Sequence, residues 1–133
     1  MKYGDIVPGK CIGEIYLGMN MKQVCEIVSV NKIRDLPDFY VVESENISIW
    51  ISREEDKVTQ ILVENEFKGK YNNFIGIGTS LKEIHEKFGI NWFEDLDCYF
   101  LENLDGMCFE LGDSGNDYYW NEETAPIIAI SVF

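Results

Sequence analysis

The chain has 133 residues, of which 46% are hydrophobic and 26% charged, and its formal net charge at pH 7 is −13. This length and composition fit one compact globular domain, and the longest apolar run, residues 125–133, is too short to cross a membrane. The negative charge argues against nucleic acid or an anionic membrane as a partner, because both bind basic patches. The N-terminal residues lack the apolar block of a secretory signal, so we expect a cytoplasmic protein.

The first predicted elements are a short strand over residues 12–17 and a helix over residues 21–28. Asn20 is a good N-cap, Gln23 completes a capping box, and apolar residues follow at helical spacing. Residues 31–38 are predicted to be an irregular link, because Pro37 disfavours helix before it. A hairpin of residues 39–43 and 47–52 and a closing strand over 58–63 complete this half.

The second half repeats the same order sixty residues later. Gly9, Lys10 and Gly18 recur as Gly69, Lys70 and Gly78. The predicted elements are a strand over 74–77, a helix from a Ser80–Glu83 capping box to a stop at Gly89, and a link over 90–97. A hairpin of 98–104 and 107–111, with a two-residue turn at 105–106, and a closing strand over 127–132 follow.

A fixed period of this kind indicates a repeat architecture. The sequence therefore predicts an α+β fold in which two tandem β-α-β-β-β repeats, about residues 7–64 and 67–133, form a single domain over residues 1–133. We expect a largely antiparallel sheet covered on its apolar face by the two helices.

Negative charge is concentrated in the last third of the sequence. No Lys or Arg follows Lys87, whereas ten acidic residues do: Glu94, Asp95, Asp97, Glu102, Asp105, Glu110, Asp113, Asp117, Glu122 and Glu123. Solubility accounts well for an even spread of acid, and less well for a field at one end of the chain. This asymmetry favours a basic partner.

An insertion in the second repeat supplies the candidate binding residues. Near the last strand the offset grows from sixty to sixty-nine, so residues 112–126 form an enlarged loop, of a kind that is often functional. Tyr and Trp are common binding hot spots. The predicted partner-binding residues are Asp113, Asp117, Tyr118, Tyr119, Trp120, Glu122 and Glu123, with Trp92, Glu94 and Asp95 in a second tier. Alternatively, the three loop aromatics fold back as an apolar lid or an extra strand.

Residues that carry catalysis or bind metals are sparse. His85 is the only histidine, the four cysteines form no C-x-x-C pair, and no serine lies in a nucleophile elbow. We therefore expect a protein that is not an enzyme and uses no metal or other cofactor, with its cysteines buried in a reducing compartment. The alternative is a small-ligand or calcium-binding module using the acidic loop 112–126, although Gly115 occupies a ligand position of the calcium-loop pattern.

Two segments resemble known families. Residues 15–24 (IYLGMNMKQV) and 75–84 (IGIGTSLKEI) resemble the strand–LGM–helix opening of BamE-type outer-membrane assembly lipoproteins and of beta-lactamase inhibitor proteins. Residues 67–81 (FKGKYNNFIGIGTSL) also look like small immunity proteins encoded beside bacterial polymorphic toxins, including contact-dependent growth inhibition systems. The resemblance implies a non-catalytic module that binds and neutralises a cognate basic toxin domain, with a nuclease as the expected toxin, by stoichiometric occlusion.

Overall fold

The computed structural model describes residues 4–93, 98–112 and 121–133, and this part of the chain is mostly β. The strands are β1 (Ile6–Val7), β2 (Cys11–Ile12), β3 (Ile15–Tyr16), β4 (Lys32–Asp35), β5 (Phe39–Ser44), β6 (Ile47–Ser52), β7 (Lys57–Glu64), β8 (Ile90–Phe93), β9 (Cys98–Leu101), β10 (Met107–Leu111) and β11 (Ile127–Val132). The helices are α1 (Met21–Ile27) and α2 (Leu81–His85).

Strands β4 to β11 form one antiparallel sheet in the order β4-β5-β6-β7-β11-β10-β9-β8, and β1 to β3 form a second, small sheet. The two halves of the chain meet where β7 pairs with β11, with Val63 opposite Ile130. Strands from the first half therefore occupy one end of the large sheet and strands from the second half occupy the other. The outermost strands are β4 and β8.

Both helices begin where the sequence predicts. The Asn20 side chain accepts from the Gln23 backbone N–H, and the Gln23 side chain accepts from the Asn20 N–H, each at 2.9 Å. Ser80 and Glu83 make the same reciprocal pair at 3.3 and 3.2 Å. The two predicted capping boxes are confirmed, because such boxes depend only on residues three apart in sequence.

The predicted α+β class, with two helices covering the sheet, is wrong. Helices of seven and five residues are only about 10 Å and about 8 Å long, whereas eight strands span about 34 Å. Helix α1 buries Val24 and helix α2 buries Leu81 and Ile84. The small sheet and the segment before α2 supply the remaining apolar cover: Ile6, Ile12, Ile15, Phe67 and Ile75. The fold is a mostly β domain with two short helices packed on it.

The hairpin of β5 and β6 and the closing strands β7 and β11 are confirmed. The prediction of two irregular links is partly wrong, because each link contains an edge strand, β4 or β8. The strand predicted over 74–77 reduces to an isolated bridge between Tyr71 and Ile75. The strand predicted over 12–17 instead contains the turn between β2 and β3. Short strands without alternating polarity leave no period in the sequence that separates them from loops.

The predicted two-residue turn between β9 and β10 is also wrong. Strand β9 ends at Leu101, and Tyr99 lies opposite Phe109, so the loop spans residues 102–106. Gly106 adopts φ +86°, and a side chain there would collide with the backbone of Gly9. The Gly106 carbonyl accepts from the Gly9 N–H at 3.0 Å, so this glycine fastens the N-terminal sheet to the large one.

The cysteines only partly follow the expectation of burial. Cys11 and Cys98 are buried, Cys108 is half-buried and Cys25 on α1 is exposed. Cys98 and Cys108 line a groove of about 340 Å³ on the sheet face away from the core. Burial, followed by the neighbouring Cys98, raises the pKa of the Cys108 thiol to about 12, so this thiol is protonated at neutral pH.

Candidate partner-binding site

The structure describes three of the ten predicted binding residues. Trp92 lies on the edge strand β8, and Glu122 and Glu123 lie in the segment that leads into β11. The other predicted residues lie outside the described part of the chain: Glu94, Asp95, Asp113, Asp117, Tyr118, Tyr119 and Trp120.

Trp92 is an exposed aromatic residue anchored to the core. Its side chain is 48% exposed, and its ring centroid lies 4.5 Å from that of Tyr99, which faces it on β9. Tyr99 in turn stacks on the buried Phe109, with centroids 5.7 Å apart and planes 14° apart. Direct cross-strand aromatic pairs stabilise a sheet and restrain both rings. The structure therefore holds a large, partly solvated ring in a defined place at the sheet edge.

Glu122 joins this aromatic pair through Tyr99. The Tyr99 hydroxyl donates a hydrogen bond to Oε1 of Glu122, across 23 residues of sequence. A bond from a hydroxyl to a carboxylate is charge-assisted and stronger than a neutral one. Trp92, Tyr99 and Glu122 thus form a connected unit, which we call the edge cluster. It combines an exposed ring with an oriented carboxylate.

Glu123 points to a different element. Its Oε1 lies 3.6 Å from Nε2 of His85 on α2, and its carbonyl accepts from the Lys82 N–H at 2.9 Å. Pro126 forms an isolated bridge with Ser80 at the start of the same helix. The segment over 121–126 is therefore attached to α2, and Glu123 serves this attachment rather than the edge cluster.

Tyr99 is the residue that sequence analysis missed. Its position in the chain marks it only as a strand residue. Its role follows from lying opposite Trp92, and that pairing required β8 to be a strand where the sequence predicts an irregular link. His85, the only histidine in the sequence, likewise acquires its acidic neighbour Glu123 only in the folded chain.

The sheet order turns the charge asymmetry of the sequence into an asymmetry of the molecule. Exposed acids lie on and between strands β8 to β11, in a range of the sequence after Lys87 that has no Lys or Arg: Glu102, Asp105, Glu110, Glu122 and Glu123. Two arginine–carboxylate pairs lie at the opposite edge, Arg34 with Glu43 at 2.7 Å and Arg53 with Asp35. Basic residues are also present on and beside α2, where Lys87 Nζ lies 4.3 Å from the Phe74 ring.

The described residues do not assemble a metal centre. Within ranges 4–93, 98–112 and 121–133, no three His, Cys, Asp or Glu side chains gather in a group that would hold an ion. The calcium-loop pattern considered for residues 113–117 lies outside those ranges. Neither helix in the described part of the chain has the length and apolar character needed to cross a membrane.

Comparison of the chain with family models, with curated proteins and with solved structures gives no match. The expectation of a toxin-neutralising protein therefore depends on the resemblance of residues 67–81 and on the charge and surface of the chain itself. The geometry of the site is that of a sheet edge at which an exposed aromatic ring and an acidic side chain lie close together.

Proposed function

We propose that the chain is an immunity protein that binds a basic toxin domain in the cytoplasm, a nuclease being the expected toxin, and neutralises it by stoichiometric occlusion. The observation that carries this proposal is the segregation of charge along the sheet. The half formed by β8 to β11 carries exposed carboxylates and no Lys or Arg. A uniform acidic surface would serve solubility equally well, whereas a one-sided field orients a cationic partner.

Opposed charges supply the speed that neutralisation requires. Electrostatic steering raises association rates by up to about a thousandfold over neutral encounters. The attraction acts over a Debye length of about 8 Å at physiological salt, so it falls as salt is added. A protein that must capture a toxin before it acts gains more from fast association than from affinity alone.

The edge cluster supplies the contact that slows release. Trp92 is the type of residue that dominates binding energy when a partner buries it. Tyr99 fixes Glu122, so less side-chain freedom is lost when this carboxylate pairs with a Lys or Arg of the partner. Tyr119 and Trp120, which lie outside the described residues, are proposed as further anchors.

The test uses the toxin domain that the proposal expects to be encoded directly upstream of this chain, co-expressed with it and also purified. We expect co-expression to restore growth, a 1:1 complex, and an association rate that falls about tenfold or more as salt is raised. Glu122→Gln should slow association more than Glu45→Gln, a control at an exposed turn in the first half. Growth that is not restored, together with no complex by calorimetry, would overturn the proposal.

A second pair of variants tests the loop. If these two residues are anchors, Tyr119→Ala with Trp120→Ala should raise the dissociation rate without changing thermal unfolding. Tyr16→Ala is the control, since Tyr16 is 42% exposed on the small sheet. An unchanged dissociation constant would remove these two loop residues from the binding surface.

A further inference from the structure

The two edges of the large sheet differ in how they are protected. Strand β4 has the sequence Lys32-Ile33-Arg34-Asp35, and three of its four residues are charged. Strand β8 has the sequence Ile90-Asn91-Trp92-Phe93 and carries no charge. Natural sheets place charged side chains, Lys above all, on exposed edges to prevent pairing with other chains. Strand β4 follows this rule and β8 does not.

The hydrogen-bond pattern shows which backbone groups of β8 face outward. The Glu102 N–H donates to the Gly89 carbonyl at 2.9 Å, and Ile90 lies opposite Leu101. In an antiparallel ladder this makes Ile90 and Trp92 the residues whose N–H and C=O point away from β9. These outward groups have no hydrogen-bond partner among the residues that the structure describes.

We propose that β8 is a docking edge to which an extended, basic segment of the partner adds as a ninth strand. This inference rests on the proposed function and specifies its mode of recognition. Backbone hydrogen bonds to Ile90 and Trp92 would give affinity, and neighbouring side chains would give selectivity. The Trp92 ring, partly exposed beside the new strand, would pack against its side chains.

Two carboxylates beside β8 indicate the chemistry of the added strand. The Glu102 side chain lies against Gly89, where an added side chain would collide with its carboxylate. Glu122 accepts a hydrogen bond from Tyr99, the residue that faces Trp92 farther along β8. A strand laid along β8 therefore passes two carboxylates, which favours Lys or Arg in that strand.

A second copy of this chain fits the edge less well. Two β8 strands paired with each other would bring the carboxylates of both copies together, and like charges in a sheet pair are destabilising. A β8–β4 pairing would be heterologous, so it would build a ring or a filament instead of a two-fold dimer. The charge beside β8 thus favours a basic partner over pairing of β8 with itself.

The test compares Trp92→Pro with Trp92→Ala, using the toxin domain from the previous section as the probe. Both variants remove the ring, but only proline removes the outward N–H, and proline is tolerated at such edge positions. We expect Trp92→Pro to bind about tenfold more weakly than Trp92→Ala. Ile33→Pro, at an outward position of β4, should bind like the wild type.

Hydrogen exchange of the wild-type complex gives a second measurement that needs no variant to fold. In the free protein, the amides of Asn91 and Phe93 should exchange slowly and those of Ile90 and Trp92 quickly. In the complex all four should be protected. If the two Trp92 variants bound the toxin domain equally well, and the amides of Ile90 and Trp92 still exchanged quickly in the complex, the docking edge would be refuted. The proposed function would be unaffected by that result. A chain that self-associates through β8 would also overturn the docking edge. No binding by the wild type would overturn both this inference and the proposed function.

Discussion

The hydrogen bond from Tyr99 to Glu122 can be measured as a free energy of unfolding. Tyr99→Phe removes the hydroxyl and keeps the ring contacts with Trp92 and Phe109. Hydrogen bonds to charged groups contribute about 1.5–3 kcal/mol when buried. Tyr99 is 9% exposed, but Glu122 lies in an exposed turn, so the value should be reduced to about 1 kcal/mol.

The assay is a double-mutant cycle in urea with Tyr99→Phe, Glu122→Ala and the double variant. The expected coupling is about 1 kcal/mol, and the single Tyr99→Phe change should lower the melting temperature by about 3–5 °C. Tyr71→Phe is the control: the Tyr71 ring packs edge-on against Phe88, and its hydroxyl has no hydrogen bond among the described residues. Its effect should stay within about 0.5 kcal/mol. A coupling near zero would refute the edge cluster as a connected unit.

Three further predictions test the core, the junction between the sheets and the thiols. Ile49→Ala should destabilise the protein by about 3 kcal/mol in urea unfolding, because Ile49 is fully buried, whereas Ile33→Ala, at 45% exposure, should cost less than about 1 kcal/mol; equal effects would contradict the assigned core face. Gly106→Ala should cost about 2 kcal/mol or more, since it combines a positive φ with a backbone collision; a neutral result would refute the close approach. Cys108 should alkylate far more slowly than Cys25 at pH 8, and unfolding stability should fall from about pH 9 to about pH 12 in the wild type relative to Cys108→Ser, because only the unfolded thiol ionises in that window.

Local interactions account for what the sequence predicted well. The Asn20–Gln23 and Ser80–Glu83 boxes involve residues three apart, so they need no knowledge of the rest of the fold. The β5–β6 hairpin is likewise predictable, because Ile47, Ile49 and Ile51 alternate with more polar neighbours along a single strand. The sequence repeat gave the order of the main elements, although it gave neither their lengths nor their pairing.

The errors arise where the outcome depends on contacts between distant residues. Strands β4 and β8 have no alternating pattern, and they become strands only because β5 and β9 offer a ladder beside them. The prediction that two helices cover the sheet was wrong because the capping residues determine only where a helix starts. Tertiary packing decides how far the helix continues. The core is instead closed by the N-terminal sheet, whose two-residue strands are too short to predict from periodicity.

For the proposed binding surface, the sequence by itself determined the chemistry: the acidic last third, the absence of Lys and Arg after Lys87, and the presence of Trp92 within it. Tertiary structure alone decided the geometry. Because β7 pairs with β11, the acidic residues of the last third lie at one end of the large sheet. Because Tyr99 faces Trp92 and bonds to Glu122, the exposed ring and the carboxylate belong to one cluster. Charge is a property of composition and survives any fold, whereas an edge and its neighbours exist only after strands far apart in the chain have paired.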